Sequence, residues 1–293
     1  MSRRGSALTL LTSAALLVAA ALVATPGASG DAPDNRPPVV VVDPEFEVGA
    51  QVRRWLGYVC EGHEVTEVPY LVRYSATDES GIRWYNRWNL DGDSEPEGPS
   101  DFWGDFDRLP WHDTLTDYGG ECGGRIPEQS GWAVTAYDQA DNAKYATSGP
   151  AQPEVYQQDG VSVELDAEAI PVDRTGRWRT STCRCASGGT QMHTWGRGAT
   201  ATYWIEVASA RGAHLGLVMP QGPKRGRFQV LVDGDVVATL DSLATRNRNR
   251  VVVWHGVVEQ GDHTLAVRNL RTSGRGRIDV DAVLVYERRQ YVS

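Results

Sequence analysis

The residues with the most legible chemistry are tryptophans and arginines of the C-terminal half. Trp178, Trp195 and Trp254 stand there with Arg248 and Arg250. An indole offers an apolar face on which a sugar ring can stack, and a guanidinium donates several N–H groups to hydroxyls or a carboxylate. These five are the candidate ligand-binding residues of a loop-borne sugar site. Each has a rival reading as a packing residue. Trp204 and Trp254 lie in apolar runs that point to a core, and Trp178 occupies Gly176-Arg177-Trp178-Arg179 beside a turn.

The carboxylates are less specific. Asp91-x-Asp93-x-Glu95 begins like a calcium loop, but Pro96 stands where the loop needs Gly and Phe102 where it needs Glu, so an EF-hand is excluded. A looser calcium set (Asp91, Asp93, Asp101, Asp105, Asp107) and a hydrolytic pair (Asp105, Asp107) compete with a plain polar loop. In the polar-loop reading, which is preferred, Phe102, Trp103, Phe106 and Trp111 fold back onto the protein. The six histidines are scattered without a metal-ligand spacing. No Gly-x-Ser-x-Gly elbow occurs, and Gly119–Gly124 lacks the Lys of a phosphate loop. The chain is therefore read as catalytic in no residue, with a hydrolase kept as the alternative.

The elements that must position these residues are strands. Val230–Val232 runs into Asp233-Gly234 and out through Val236-Val237, the pattern of a two-residue hairpin turn whose central residues take positive φ. Ile278, Val280, Ala282, Leu284 and Tyr286 alternate with Asp279, Asp281, Val283, Val285 and Glu287, which predicts a strand with one face buried. Similar short runs (Val39–Val42, Tyr70–Asp78, Ile82–Trp88, Trp132–Tyr137, Ala199–Val207, His214–Met219) recur between turn signals, and no helix is expected. The fold class is all-β: one β-sandwich over 39–150, carrying an acidic insertion at 92–120, and a second over 155–287, joined at Pro150–Pro153.

Residues 1–30 read as a signal peptide, with Arg3 and Arg4 ahead of an apolar run and small residues at its exit, and 31–38 as a linker. Secretion, an extracellular location and no membrane association after cleavage follow as expectations; a retained anchor is the alternative. Four cysteines suit that compartment. Three connectivities are open; pairing within each half gives Cys60–Cys122, a loop worth about 4 kcal/mol in the chain-entropy model, and the tight ring Cys183–Cys185. From 31 to 150 there are 23 acidic and 9 basic residues, from 151 to 293 there are 15 and 18. The acidic first half argues against nucleic acid, and the Arg-rich second half could meet acidic glycans. The chain is read as a monomer.

Tyr70–Ile82 (YLVRYSATDESGI), Trp84–Gly92 and Trp132–Pro150 resemble the fibronectin type III or immunoglobulin-like domains of secreted actinobacterial proteins, with Asp141-Asn142 where the family pattern has Gly-Asn. Gly176-x-Trp178, Ser187-Gly188-Gly189, Gly198–Thr202, Val232-Asp233-Gly234, Gly261-x-His263 and Ile278–Ala282 resemble the galactose-binding-like jelly roll often fused behind such domains. That resemblance implies a non-catalytic protein that binds an extracellular polysaccharide or other cell-envelope component; a structural or adhesive role with a protein partner is the alternative. It also implies a structural calcium ion, whose ligands would fall on Glu164 and Asp281.

Overall fold

The computed structural model describes residues 35–56, 64–90, 100–102, 111–118, 131–147, 153–163 and 168–288. The expected signal segment, Cys60, Cys122, Glu164, Asp105 and Asp107 lie outside the described residues. Among the described residues every regular element is a strand.

The first half holds β1 (Val39–Phe46), β2 (Arg53–Leu56), β3 (Glu64–Thr77), β4 (Ile82–Leu90), β5 (Ser100–Phe102), β6 (Trp111–Tyr118), β7 (Gly131–Asp138) and β8 (Ala143–Thr147). Strands β1, β3 and β2 form one antiparallel sheet with β6 added to β3; β5-β4-β7-β8 form the other. Ala76, Val134 and Ala136 pack together with Val40, Val42 and Ile82 between them. Both sequence turns are built on aspartate. Asp78 Oδ1 accepts from the Ser80 backbone N–H and hydroxyl, each at 2.7 Å. Asp138 Oδ1 accepts from the Ala140 and Asn142 amides at 2.7 and 2.8 Å. Asp141 adopts φ 64° and pairs with Arg83; Asp is one of the few residues that tolerates this region.

The second half contributes β9 (Glu154–Gln157), β10 (Val172–Thr175), β11 (Arg179–Thr182), β12 (Thr190–Thr194), β13 (Thr200–Val207), β14 (Ala213–Gln221), β15 (Arg227–Val232), β16 (Asp235–Asp241), β17 (Arg248–Val258), β18 (Gly261–Asn269), β19 (Ile278–Val280) and β20 (Ala282–Glu287). The sheets β10-β13-β18-β15-β16 and β17-β14-β20-β9 stack as a jelly roll, and β11-β12-β19 forms a small third sheet at its side. Tyr203, Ile205, Phe228, Val230, Leu265 and Val267 from one layer meet Leu215, Leu217, Met219, Val251, Val253, Val283 and Val285 from the other. The Asp233-Gly234 turn forms as expected, with φ 52° and 88°, and joins Val232 to Asp235 across β15 and β16.

Two findings differ from the sequence reading. The run 278–287 is not one strand with a polar face. It changes partner at Asp281: β19 pairs with β12 and β20 with β14. Both faces of this run are buried up to Tyr286, Asp279 and Asp281 included. Over 282–286 the physical reason is that one face enters the jelly-roll core and the other a second core on the outer face of the β17-β14-β20-β9 sheet. There Val155, Val218, Val252, Leu284 and Tyr286 pack against Phe46, Val52, Val68, Tyr70 and Val72 from the first half. Phe46 lies 5.2 Å from Tyr70, and Tyr70 lies edge-on to Tyr286 at 5.8 Å. Burying side chains of this size contributes roughly 1.5–3 kcal/mol each, so the two halves share apolar packing rather than a loose polar contact.

Candidate functional site

The small sheet gathers the polar residues that the barrel layers exclude. Its register places Arg179 opposite His193, and His193 opposite Asp279, in one row across three strands. Trp195 lies two residues beyond His193 and Arg277 two residues before Asp279; the period of two along a strand brings these side chains to one face. The contacts bear this out. Trp195 is 48% exposed, its ring stands perpendicular to His193 at 4.8 Å, and the Arg277 guanidinium lies 5.3 Å over its face.

Asp279 fixes the cations. Arg277 donates to it through Nε at 3.0 Å and Nη2 at 2.5 Å, and Arg225 Nε stands 2.5 Å from the other oxygen. The carboxylate is fully buried, whereas the side chains of Arg225 and Arg277 keep 16% and 26% exposure. One carboxylate against two guanidiniums leaves a net positive charge at the surface. His193 is held below its usual value by burial and by the positive charges of Arg277, Arg179 and Arg225, so it is a neutral imidazole at neutral pH. Its Nδ1 and the Oε1 of Gln191, two residues earlier on β12, are buried without a hydrogen-bond partner. An exposed indole, guanidiniums clamped in place and unspent polar atoms behind them form a surface able to hold an anionic, partly apolar ligand.

The five sequence candidates do not come together. Trp195 alone belongs to this face. Trp178 packs against the jelly-roll core and donates Nε1–H to the Thr175 and Thr200 carbonyls at 3.1 and 3.2 Å. Trp254 packs on the same core. Arg248 donates to Gln221 Oε1 at 3.3 Å and to the Gly49 carbonyl at 2.7 Å. Arg250 takes φ 54°, and its carbonyl accepts from the Val52 amide at 2.8 Å. Both arginines therefore serve the junction with the first half. Trp204, expected in the core, is 48% exposed and bonds Asp173, because its neighbours Tyr203 and Ile205 take the inward positions of β13. Sequence reasoning missed Arg225, Arg277, Asp279 and His193. The usable signal was Arg277-x-Asp279, a charge pair at strand spacing.

Asp281 occupies a different place. Its side chain is fully buried and accepts from the Ser187 amide at 2.8 Å and hydroxyl at 3.3 Å. Ser187 lies in a turn closed by the Cys183 amide donating to the Gly189 carbonyl at 2.8 Å, with the Cys183–Cys185 disulfide at its start, and Arg54 of the first half donates to the neighbouring Ala186 carbonyl at 3.3 Å. Burial pushes the Asp281 carboxyl up to about 7, opposed by Ser187 and by the charges of Arg250 and Arg54. Among the described residues no three His, Cys, Asp or Glu side chains gather as a metal site. Glu164, the other residue expected to ligate calcium, lies outside the described residues.

The structure is an all-β protein whose second half is a jelly roll. No protein-family model matches the chain, and no curated protein matches it. Among solved structures, a family 35 carbohydrate-binding module from Clostridium thermocellum is 13% identical, with a TM-score of 0.33 over 47% of this chain and 99% of that one. The family 35 module of Cellvibrio japonicus Abf62 is 15% identical, with a TM-score of 0.34 over 48% and 98%. An exo-β-1,3-galactanase from Phanerochaete chrysosporium is 13% identical, with a TM-score of 0.34 over 81% and 68%. At these scores the likenesses carry no weight for function.

Proposed function

We propose that this chain is a secreted, non-catalytic protein that binds an acidic extracellular glycan on the Trp195 face of its jelly roll. The observation that carries the reading is the exposed Trp195 indole beside Arg277 and Arg225, both anchored on a buried Asp279. A sugar ring stacks on an indole through its C–H face, and a uronate carboxylate or sulfate ester takes the N–H groups of a guanidinium. Holding both guanidiniums on Asp279 beforehand removes much of the ordering cost that a free arginine would bring to binding. Asp279 has both oxygens occupied by arginine, which leaves it ill placed to act as a general acid or nucleophile and favours binding over hydrolysis.

The test is affinity electrophoresis and calorimetry of the chain from Asp31 onward against acidic polysaccharides (polyuronates, sulfated glycans) and neutral ones of similar backbone. Binding to the acidic set is expected, reduced at least tenfold in Trp195→Ala and weakened by salt. Equal affinity for neutral chains would overturn the acidic specificity. A blank on every polysaccharide would favour the structural or protein-adhesion alternative, and release of reducing sugar would favour a hydrolase.

A further inference from the structure

A second cluster of titratable groups lies away from the Trp195 face, where the two halves meet. His214 on β14 and His255 on β17 face each other with His214 Nδ1 at 2.7 Å from His255 Nε2, their rings inclined by only 17°. The other nitrogen of His214, Nε2, is 3.5 Å from Asp43 Oδ1 on β1, and Arg288 holds that same oxygen at 3.2 Å. Tyr286 stacks on His214 at 5.7 Å, and Phe46 of β1 stands edge-on to His255 at 6.1 Å. The remaining charged groups facing the pair are Glu45 on β1 and Arg73 on β3, themselves joined at 2.6 Å.

This geometry fixes where protons can go. A 2.7 Å contact between two ring nitrogens requires one proton between them, and the Asp43 carboxylate favours N–H on His214 Nε2. In the neutral pair His214 therefore accepts at Nδ1 from His255 Nε2–H. One added proton is accommodated: His214 becomes an imidazolium next to Asp43, and His255 shifts its own proton to Nδ1 so that a bare Nε2 accepts. A second added proton has no such outlet. It puts two N–H groups and two cations face to face.

We propose that the His214–His255 pair is an acid-operated latch between the two halves, which holds through its first proton and parts on its second, loosening β1 from the β17-β14-β20-β9 sheet. His214 and His255 sit on neighbouring hydrogen-bonded strands, and two residues of β1, Phe46 and Asp43, lie against the pair, so a ring displaced by the second proton pushes on β1. Burial, and then the charge of His214, hold His255 down to about 4. The His214 ring beside Asp43 and the Arg288 charge keep the Asp43 carboxyl below its usual value, so the first proton retains its counter-charge while the second arrives. The sign follows: a base whose value is depressed on folding stabilises fully above its unfolded value near 6.5, and that stability is lost as pH falls toward 4.

The test is hydrogen–deuterium exchange of the chain from Asp31 onward at pH 6.5 and 3.8, corrected for intrinsic rates. In the wild type, protection of Val39–Phe46 is expected to fall at least tenfold at the lower pH while Ala213–Gln221 stays protected. In His255→Gln, whose amide can still donate to His214 but cannot take a proton, the drop should be less than twofold. Nitrogen-resolved NMR of the wild-type histidines supplies a readout that does not depend on the variant folding: two well-separated steps, with His214 Nε2 protonated throughout, are expected. Equal loss of protection in both proteins, loss spread evenly over β1 and β14, or two histidines titrating independently near 6.5 would each overturn the latch.

Discussion

Asp281→Asn isolates the cost of burying one carboxylate. The side chain has no exposure, and its folded value is raised from 3.8 to about 7 by desolvation. Below 3.8 both folded and unfolded chains hold the proton, and the residue contributes no pH dependence. Between 3.8 and 7 the folded protein keeps a proton that the unfolded chain releases, so stability declines as pH rises, and above 7 the penalty is complete. At 1.36 kcal/mol per unit, that penalty is about 4 kcal/mol. Asparagine keeps the shape: its carbonyl oxygen accepts the Ser187 amide, its NH₂ donates to the Ser187 hydroxyl, and it never ionises. The variant should match the wild type within about 1 kcal/mol at pH 4 and exceed it by up to about 4 kcal/mol at pH 8, a gain of about 10 °C in melting temperature for a protein of this size. Paired thermal melts across pH 4–8, with and without EDTA, read this directly. A variant less stable than the wild type at pH 8, with a wild type that loses stability on chelation, would refute the reasoning and place a cation on Asp281.

Other perturbations read other parts of the structure. Phe46→Ala should cost about 3–5 kcal/mol, measured by urea unfolding, because it opens a hole in the apolar packing between the halves. Asp279→Asn should lower stability by about 3–5 kcal/mol in urea unfolding, as expected when a buried ion pair loses one partner, and weaken acidic-glycan binding of the folded protein by about tenfold in calorimetry, since Arg225 and Arg277 lose the anion that aims them. Gly212→Ala should lower the melting temperature, by about 1–3 kcal/mol in stability: the glycine has φ 77° and an added Cβ would come within 2.0 Å of the Val258 carbonyl oxygen.

Much of the architecture was legible because it depends on local signals. The Asp233-Gly234 hairpin, the strands through Tyr203 and Val283, and the aspartate-built turns at Asp78 and Asp138 follow from residue type and period alone. What was not legible depends on what covers a surface. Trp204 sits in as apolar a run as Tyr203, and only the direction of β13 decides which faces solvent. The alternation from Ile278 to Glu287 pointed to one buried face, whereas Val283 and Val285 on the other face enter the jelly-roll core while Phe46 and Tyr70 cover Ala282, Leu284 and Tyr286. The candidate site was half legible: Trp195 was named for its chemistry, but its partners come from β19 and from the segment before β15. Distant segments meet through register, and register is not written in any one of them.

The β17-β14-β20-β9 sheet, apolar on both sides, bears on how this protein can be taken apart. Domains that are exchanged between genes, or excised as affinity tags, carry a wettable seam. Here the seam is Val218, Val252, Leu284 and Tyr286, and a cut near Pro150 would turn that interior into a sticky outer wall. The jelly roll expressed alone should associate or precipitate unless those positions are made polar. The first half is in this sense the cover of the jelly roll's outer sheet.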